Sequence, residues 1–273
     1  MYLTPYTTLT WAYQLHYYLC FRTHRRKQLF TSPNTEKRLA DLITEIATNH
    51  DYHLLDHQTY PNQLRCLLSL RPSQAVAKVV QILKCNSARE LPFPKPLWAS
   101  GYAARSSGRV RISAVRAYLE KQATHHGYAN RVLPPVFKYR AKTPVVLSAD
   151  HSSFDLSHHL VLSTKHRKGV FTSTVGEALS QYWLGVAARR EFAIDQISIV
   201  PDHLHMIVRI VPKKSIEEVA LSLMNNGQYF MGKHHPELLL ACGMDQLWNT
   251  SAYVGTCGDL TTGLIQKWLR LDK

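Results

Sequence analysis

Two histidines one residue apart are the first candidates for chemistry. Pro201-Asp202-His203-Leu204-His205-Met206-Ile207-Val208 reads as a strand, so both imidazoles leave one face while Leu204 and Met206 leave the other. Imidazoles so placed can chelate one metal ion, although two histidines on a solvated strand face would have the same spacing. A second candidate is Tyr118 in Val115-Arg-Ala-Tyr118-Leu-Glu-Lys-Gln122, a helical stretch in which positions i and i+4 put Tyr118 and Gln122 on one face. A phenol with a reference pKa of about 10 is protonated near neutrality, so as a nucleophile it needs activation by a metal or a base. Taken alone, Tyr118 reads as a packing tyrosine. The doublets His125-His126, His158-His159 and His234-His235 have no partner at ligand spacing and read as surface or core residues, His158 and His159 pointing to opposite faces of a strand.

The elements that must position these residues occur twice. Thr23-His-Arg-Arg-Lys-Gln-Leu-Phe30 matches Thr164-Lys-His-Arg-Lys-Gly-Val-Phe171, and each follows an alternating segment, residues 13–21 and 154–162, that reads as a strand. Both then pass through Thr-Ser into an amphipathic helix, over 34–49 and 175–190, with a polar N-cap signal. Strand pairs follow, 52–59 with 64–70 and 193–200 with 204–211, turning at Pro61 and Pro201. Helices over 73–89 and 215–231 lead to Leu97-Trp98 and Leu247-Trp248, and after Gly108 and Gly258 come last helices over 112–124 and 261–271. The order β-α-β-β-α-α, repeated, predicts an α+β fold of two tandem units, each an antiparallel sheet with helices on its face. The predicted boundaries are 1–122 for the first domain, 123–153 for a crossover linker containing Pro134-Pro135 and Pro144, and 154–273 for the second domain.

Composition narrows the partner. The chain has 273 residues, 45% of them hydrophobic, enough for packed cores and against disorder. Lys and Arg number 33 against 19 Asp and Glu, a net charge of +14, which favours a polyanion. Residues 1–122 hold 17 basic and 7 acidic side chains, the remainder 16 and 12, so the front half should make more of the phosphate contacts. No apolar run approaches the roughly 18 to 20 residues of a membrane span, and the start has neither a basic n-region nor a long apolar stretch. The expected location is cytoplasmic, at the nucleoid. Cys20, Cys66, Cys85, Cys242 and Cys257 form no CxxC pair and read as reduced packing residues.

Val200-Pro-Asp-His-Leu-His-Met-Ile-Val208 resembles the His-hydrophobic-His (HUH) signature of the small single-tyrosine transposases of insertion sequences and repeat-associated elements. The strand with its Thr-Lys-His-Arg-Lys turn, the later Leu-Trp and the glycine before a final helix resemble that family in order and spacing, over nearly the whole chain and twice. The resemblance implies ferredoxin-like, HUH-type units, a divalent metal, Mn²⁺ or Mg²⁺, and attack by a helix-borne tyrosine on a phosphodiester of single-stranded DNA. The products would be a 5′-phosphotyrosine and a free 3′-OH. It also implies a DNA hairpin as the recognised feature, Tyr118 as nucleophile, and Gln122 beside His203 and His205 in the metal shell. A divalent ion on a non-bridging oxygen stabilises charge developing at phosphorus.

The copies have lost complementary parts. Copy one keeps Tyr118 and Gln122 but has Gln63 and Arg65 where copy two has His203 and His205, and an always charged guanidinium, which only donates, cannot replace an imidazole ligand. Copy two has Ile265-Gln-Lys-Trp268-Leu-Arg-Leu-Asp272 in place of the tyrosine helix, and an indole is no nucleophile. In the resembling family the sites of a homodimer are shared between subunits. The expectation is therefore a monomer acting as a pseudo-dimer with one composite site, its counterpart at Gln63, Arg65, Trp268 and Asp272 being inert or turned into a binding surface. Arg22, Arg25, Arg26 and Lys27 near Tyr17 and Tyr18, Arg105, Arg109 and Arg111 near Tyr102, and Lys165, Arg167 and Lys168 are candidates to track a nucleic-acid backbone while aromatic rings stack on bases. The alternative is a domesticated, non-catalytic regulator that binds DNA or RNA hairpins. An accessory protein would be a further partner if one tyrosine cannot complete both cleavages.

Overall fold

The computed structural model describes residues 3–109, 111–121 and 135–271, with residue 121 and the last four of these described by backbone alone. The first copy comprises β1 (Thr10–Gln14), β2 (His16–Arg22), α1 (Pro33–Asn49), β3 (His53–Tyr60), β4 (Gln63–Ser69), α2 (Val76–Glu90), β5 (Tyr102–Ser107) and α3 (Ile112–Lys121). After β6 (Phe137–Arg140), the second comprises β7 (Ser152–Asp155), β8 (Ser157–Thr164), α4 (Ser173–Arg189), β9 (Phe192–Val200), β10 (His203–Ile210), α5 (Ile216–His234), α6 (Pro236–Ala241), β11 (Trp248–Cys257) and α7 (Thr262–Leu271). The fold is α+β, with two sheets ordered β3-β4-β2-β5-β7 and β1-β11-β8-β10-β9-β6.

Alternation puts one face of each sheet under helices. In copy two, Leu160, Leu162, Ile197, Ile199, Leu204, Met206 and Val254 are buried with Leu179 and Trp183 of α4 and Leu223 and Met224 of α5. In copy one, Leu19, Phe21, Leu64 and Leu68 meet Leu39 and Ile43 of α1 and Val79 and Leu83 of α2. The matched tryptophans are core anchors with satisfied indoles. Trp98 donates to Ser87 Oγ at 2.9 Å and Trp248 to the Met224 carbonyl at 3.0 Å. Gly227 lets α5 pass close to Trp183, where a Cβ would lie 2.8 Å from the indole. The two expected caps form, with Ser32 accepting from the Thr35 amide and Thr172 from that of Val175, and Ser215 caps α5 in the same way by accepting from the Glu218 amide.

The structure departs from the sequence reading in four places. Each single first strand is two strands, broken at Leu15 and Leu156, and the leading piece joins the other copy's sheet, β1 parallel to β11 and β7 parallel to β5. Each Leu-Trp leads into a strand, β5 after Trp98 and β11 from Trp248 itself; in Tyr102-Ala-Ala-Arg-Ser-Ser107 the side chains are too small and polar to show alternation. A short helix, α6, follows α5 only in copy two. Within the stretch expected to be a linker, 123–134 lies outside the described residues, but Phe137–Arg140 forms an edge strand antiparallel to β9.

The two units meet reciprocally. Ser106 Oγ donates to the Cys257 carbonyl at 2.7 Å and Thr256 Oγ1, its repeat equivalent, to the Ser107 carbonyl at 2.5 Å. The Ile112 amide donates to Gly258 O and that of Thr262 to Gly108 O, each at 2.9 Å; the Ala77 amide donates to Pro212 O and that of Glu217 to Pro72 O. Contacts that exchange partners in this way are those of a two-fold, isologous interface, here made within one chain. Tyr17 and its equivalent His158 face each other with Oη and Nε2 2.7 Å apart.

Candidate active site and nucleic-acid interface

β10 carries His203 and His205 on the sheet face away from α4 and α5, with their rings 5.2 Å apart. The turn before them is clamped by the basic turn at Thr164, whose Oγ1 donates to the Lys168 carbonyl at 2.7 Å and to the Asp202 carbonyl at 2.9 Å. Within that turn His166 and Arg167 adopt left-handed backbone, φ 56° and 55°, as do Arg25 and Arg26 in copy one. The strained turn aims Arg167 at Asp202, Nε to Oδ2 2.8 Å, while Asp202 Oδ1 lies 2.7 Å from His203 Nδ1. A carboxylate on Nδ1 sets the imidazole tautomer and leaves Nε2 as the ligating nitrogen, as second partners of metal-bound histidines do.

His205 is 8% exposed and is oriented by a residue that the sequence reading discarded. His159 lies on β8 in register with Ile207, stacks at 5.2 Å against His205, and places Nε2 3.0 Å from His205 Nδ1. Burial pushes the His159 pKa down to about 4, so it is neutral and one ring must donate to the other. Donation from His205 Nδ1 would direct its Nε2 outward beside that of His203. The missed signal was register: His159 is alone by spacing along the chain, but alternation puts it on the face of His205 once β8 pairs with β10.

Helix α3 of copy one packs on this face. Val115 and Leu119 are buried against Ile207 and Cys257, and the half-buried Tyr118 ring lies 5.8 Å from that of His205, edge-on. Arg116 reaches Asp195 at 3.3 Å, and Asp195, 7% exposed at its side chain, also holds Arg209 at 2.9 Å. From the expected linker, Lys138 Nζ donates to the Glu120 carbonyl at 2.7 Å and Arg140 pairs with the Glu120 carboxylate. These contacts fix the helix in place. Burial raises the Tyr118 pKa, so the phenol starts protonated. Gln122 lies outside the described residues. Among the described residues no three or more His, Cys, Asp or Glu side chains converge as a metal site, so the two imidazoles would need oxygen ligands of another kind.

The basic candidates separate by copy. Arg22, Arg25 and Arg26 line an open groove of about 530 Å³ with Tyr102, and none of these or Lys27 forms an ion pair with an acid among the described residues. In copy two, by contrast, Lys165 pairs with Asp245 at 2.7 Å, Arg167 with Asp202, and Lys168 donates to the Cys242 carbonyl. Tyr17, expected beside the first basic turn as a stacking ring, is buried; Tyr102 takes that position. Arg109 is exposed and helps depress the His16 pKa after burial, Arg111 bridges to Gly258 just before α3, and Arg105 lines a separate cavity. The cysteines are free, and Cys85 is exposed rather than packed. No helix among the described residues is long and apolar enough to cross a membrane.

Comparison with known proteins follows the same two-fold division. The family described as Transposase IS200 like matches residues 11–122 and again 152–270. The ISDra2 transposase TnpA of Deinococcus radiodurans is 25% identical over 116 residues, 42% of this chain and 83% of the relative. The transposase for insertion sequence element IS200 of Salmonella typhimurium is 22% identical over 123 residues, 45% of this chain and 80% of the relative. Among solved structures, a Deinococcus radiodurans transposase aligns at 25% identity over 41% of this chain and 92% of its own, with a TM-score of 0.33. A REP-associated tyrosine transposase bound to a REP hairpin aligns at 14% identity over 47% of this chain and 75% of its own, with a TM-score of 0.30. Matched twice and along most of its length, the chain belongs to the IS200-like transposase family.

Proposed function

We propose that this transposase cuts and rejoins single-stranded DNA at one composite site, Tyr118 from copy one acting against His203 and His205 from copy two, and that it recognises DNA hairpins. The observation that carries this reading is the Tyr118 ring lying 5.8 Å from that of His205 although 87 positions separate them in sequence. In the cleavage step Tyr118 Oη forms a bond to phosphorus as the bond from phosphorus to O3′ breaks. The phenol loses its proton and the leaving 3′ oxygen gains one, giving a 5′-phosphotyrosine and a 3′-OH. Rejoining is the reverse attack by a 3′-OH, which frees the tyrosine.

His203 and His205, oriented by Asp202 and His159, would hold a divalent ion, Mn²⁺ or Mg²⁺, with Gln122 as the proposed amide ligand. That ion supplies charge stabilisation at the phosphoryl oxygens. Arg22, Arg25, Arg26 and Lys27 would carry the DNA backbone beside Tyr102, with Arg109 and Arg111 leading towards α3 and the paired Lys165, Arg167 and Lys168 contributing less. The chain is proposed to work as a pseudo-dimer with domains 1–122 and 154–273, in the cytoplasm.

The test is incubation with labelled single-stranded hairpin DNA copied from the sequence flanking the coding region, with Mn²⁺ or Mg²⁺, followed by a denaturing gel. A covalent adduct is expected from the wild type, and none from Tyr118→Phe or His203→Ala. Hairpin binding without any adduct from the wild type would replace this reading with that of a non-catalytic regulator.

A further inference from the structure

The counterpart site on copy one has been rebuilt, and its register shows how. In the first sheet Arg65 pairs with Cys20 and Tyr18 with both Leu67 and Arg105. These are the places that His205, His159 and Gly255 occupy in the second sheet. Two guanidiniums and a phenol therefore stand where copy two has two imidazoles and a glycine.

The replacement encloses a cavity of about 260 Å³, walled by Tyr18, Arg65 and Arg105 and covered from copy two by Leu260 and by Ile265 of α7. Ile265 is held there by packing against the buried Leu67 of β4, with Tyr18 and Leu260 against the pair. Arg65 is held ready: its Nη1 donates to Tyr60 Oη at 2.9 Å, its guanidinium lies 4.3 Å from the Tyr60 ring centroid, and Tyr60 Oη donates in turn to Gln58 at 2.6 Å. Decay alone would leave a gap or a filled core, not a preorganised cation. Asp155 and Asp259 also line the cavity, so it offers acceptors beside its guanidiniums. That mixture suits a ligand carrying both an anion and hydrogen-bond donors better than a bare phosphate.

Resting on the proposed action on single-stranded DNA, we infer that this cavity is a non-catalytic subsite that takes one unpaired nucleotide of the bound strand. Its phosphate meets the forks of Arg65 and Arg105, its base lies against Tyr18, and a carboxylate accepts from the base amino group. The volume, just below the usual small-molecule range of roughly 300 to 1,000 Å³, admits a nucleotide and excludes a duplex. Fusion would thus have turned one of two equivalent catalytic sites into a second grip on the same strand.

Two measurements test this in full-length Tyr118→Phe protein, where no strand is cut. Hairpin oligonucleotides copied from the flanking DNA carry 5-iodo-2′-deoxycytidine at each unpaired position in turn and are irradiated. A crosslink to the Tyr18 peptide from at least one position is expected in the mass spectrum. In anisotropy titrations Arg65→Ala should weaken binding about fivefold or more and lower the salt slope by about 0.7, the value for one lost phosphate contact on a single strand. Arg65→Lys, which keeps the charge and packing stem but not the fork, should fall between the two. Crosslinks only elsewhere, together with Arg65 variants that bind within twofold of the parent, overturn the subsite. The catalytic reading is judged separately: an adduct formed by Arg65→Ala protein with Tyr118 intact leaves that reading standing while the subsite falls, and a Tyr18 crosslink without any wild-type adduct does the reverse.

Discussion

At the residue scale, the candidate site is a chain of orientation as much as a set of ligands. Arg167 holds Asp202, Asp202 holds His203, and His159 holds His205, so each imidazole is set by a partner on its Nδ1. If the pair binds a metal, Asp202→Ala should weaken Mn²⁺ affinity about 10- to 100-fold, the usual cost of losing such a partner, while thermal stability changes little. Calorimetric titration with Mn²⁺ decides it, and unchanged affinity would mean that the carboxylate orients nothing. The His203-Leu204-His205 spacing was legible because same-face geometry follows from strand period alone. His159 and Asp195 were not, because their roles come from pairing and packing between segments far apart in sequence. Asp195 reads as one more strand residue until β9 brings it between Arg209 and Arg116, where its buried charge fixes the height and rotation of α3.

At the element scale, the repeat made most strands and helices legible, since each was supported by an independent copy with the same period and punctuation. What period could not show is which sheet an element joins. β1 and β2 read as one alternating run because Leu15 breaks the strand without breaking the alternation, and only tertiary pairing sends β1 to β11. The crossing is tight: a Cβ on Gly258 would overlap the Ser106 carbonyl oxygen, an atom fixed in β5. Gly258→Ala should therefore destabilise the protein by about 1 to 3 kcal/mol, as overpacking against rigid backbone does. Gly263, where an added Cβ meets nothing within 4 Å, is the control: Gly263→Ala should be neutral or stabilising, by up to about 1 kcal/mol, as a helix residue. Urea denaturation of both variants checks the pair, and equal midpoints would show that the crossing yields easily.

At the scale of the whole molecule, the seam between the copies should give the protein its acid sensitivity and confine its site to one chain. Burial at the seam depresses the His158 pKa to about 3, so it stays neutral in the fold, whereas an unfolded histidine takes up a proton below about pH 6.5. The unfolded state then binds more protons, and stability falls as pH drops from 6.5 towards 3, by about 1.4 kcal/mol per unit for each such group. His159, depressed to about 4, adds to the same loss. His158→Gln should be less stable than wild type at pH 7.5 and lose about 1 kcal/mol less on going from pH 6.5 to 5.5, where the unfolded histidine is only part-way through its titration, as read by urea titrations at the two values; an unchanged pH dependence would remove His158 as the cause. The reciprocal hydrogen bonds across the seam also mean that Tyr118 and His205 meet without a second protein molecule. A homodimer with shared sites regains activity when a tyrosine-dead subunit pairs with a histidine-dead one, because one intact site then assembles from two chains. Here β1 and β7 are already exchanged within the chain, so Tyr118→Phe mixed with His203→Ala should form no adduct on hairpin DNA at any ratio, at protein concentrations where the wild type reacts fully. Adduct formation in the mixture, rising with the square of protein concentration, would show instead that the working site is assembled between molecules.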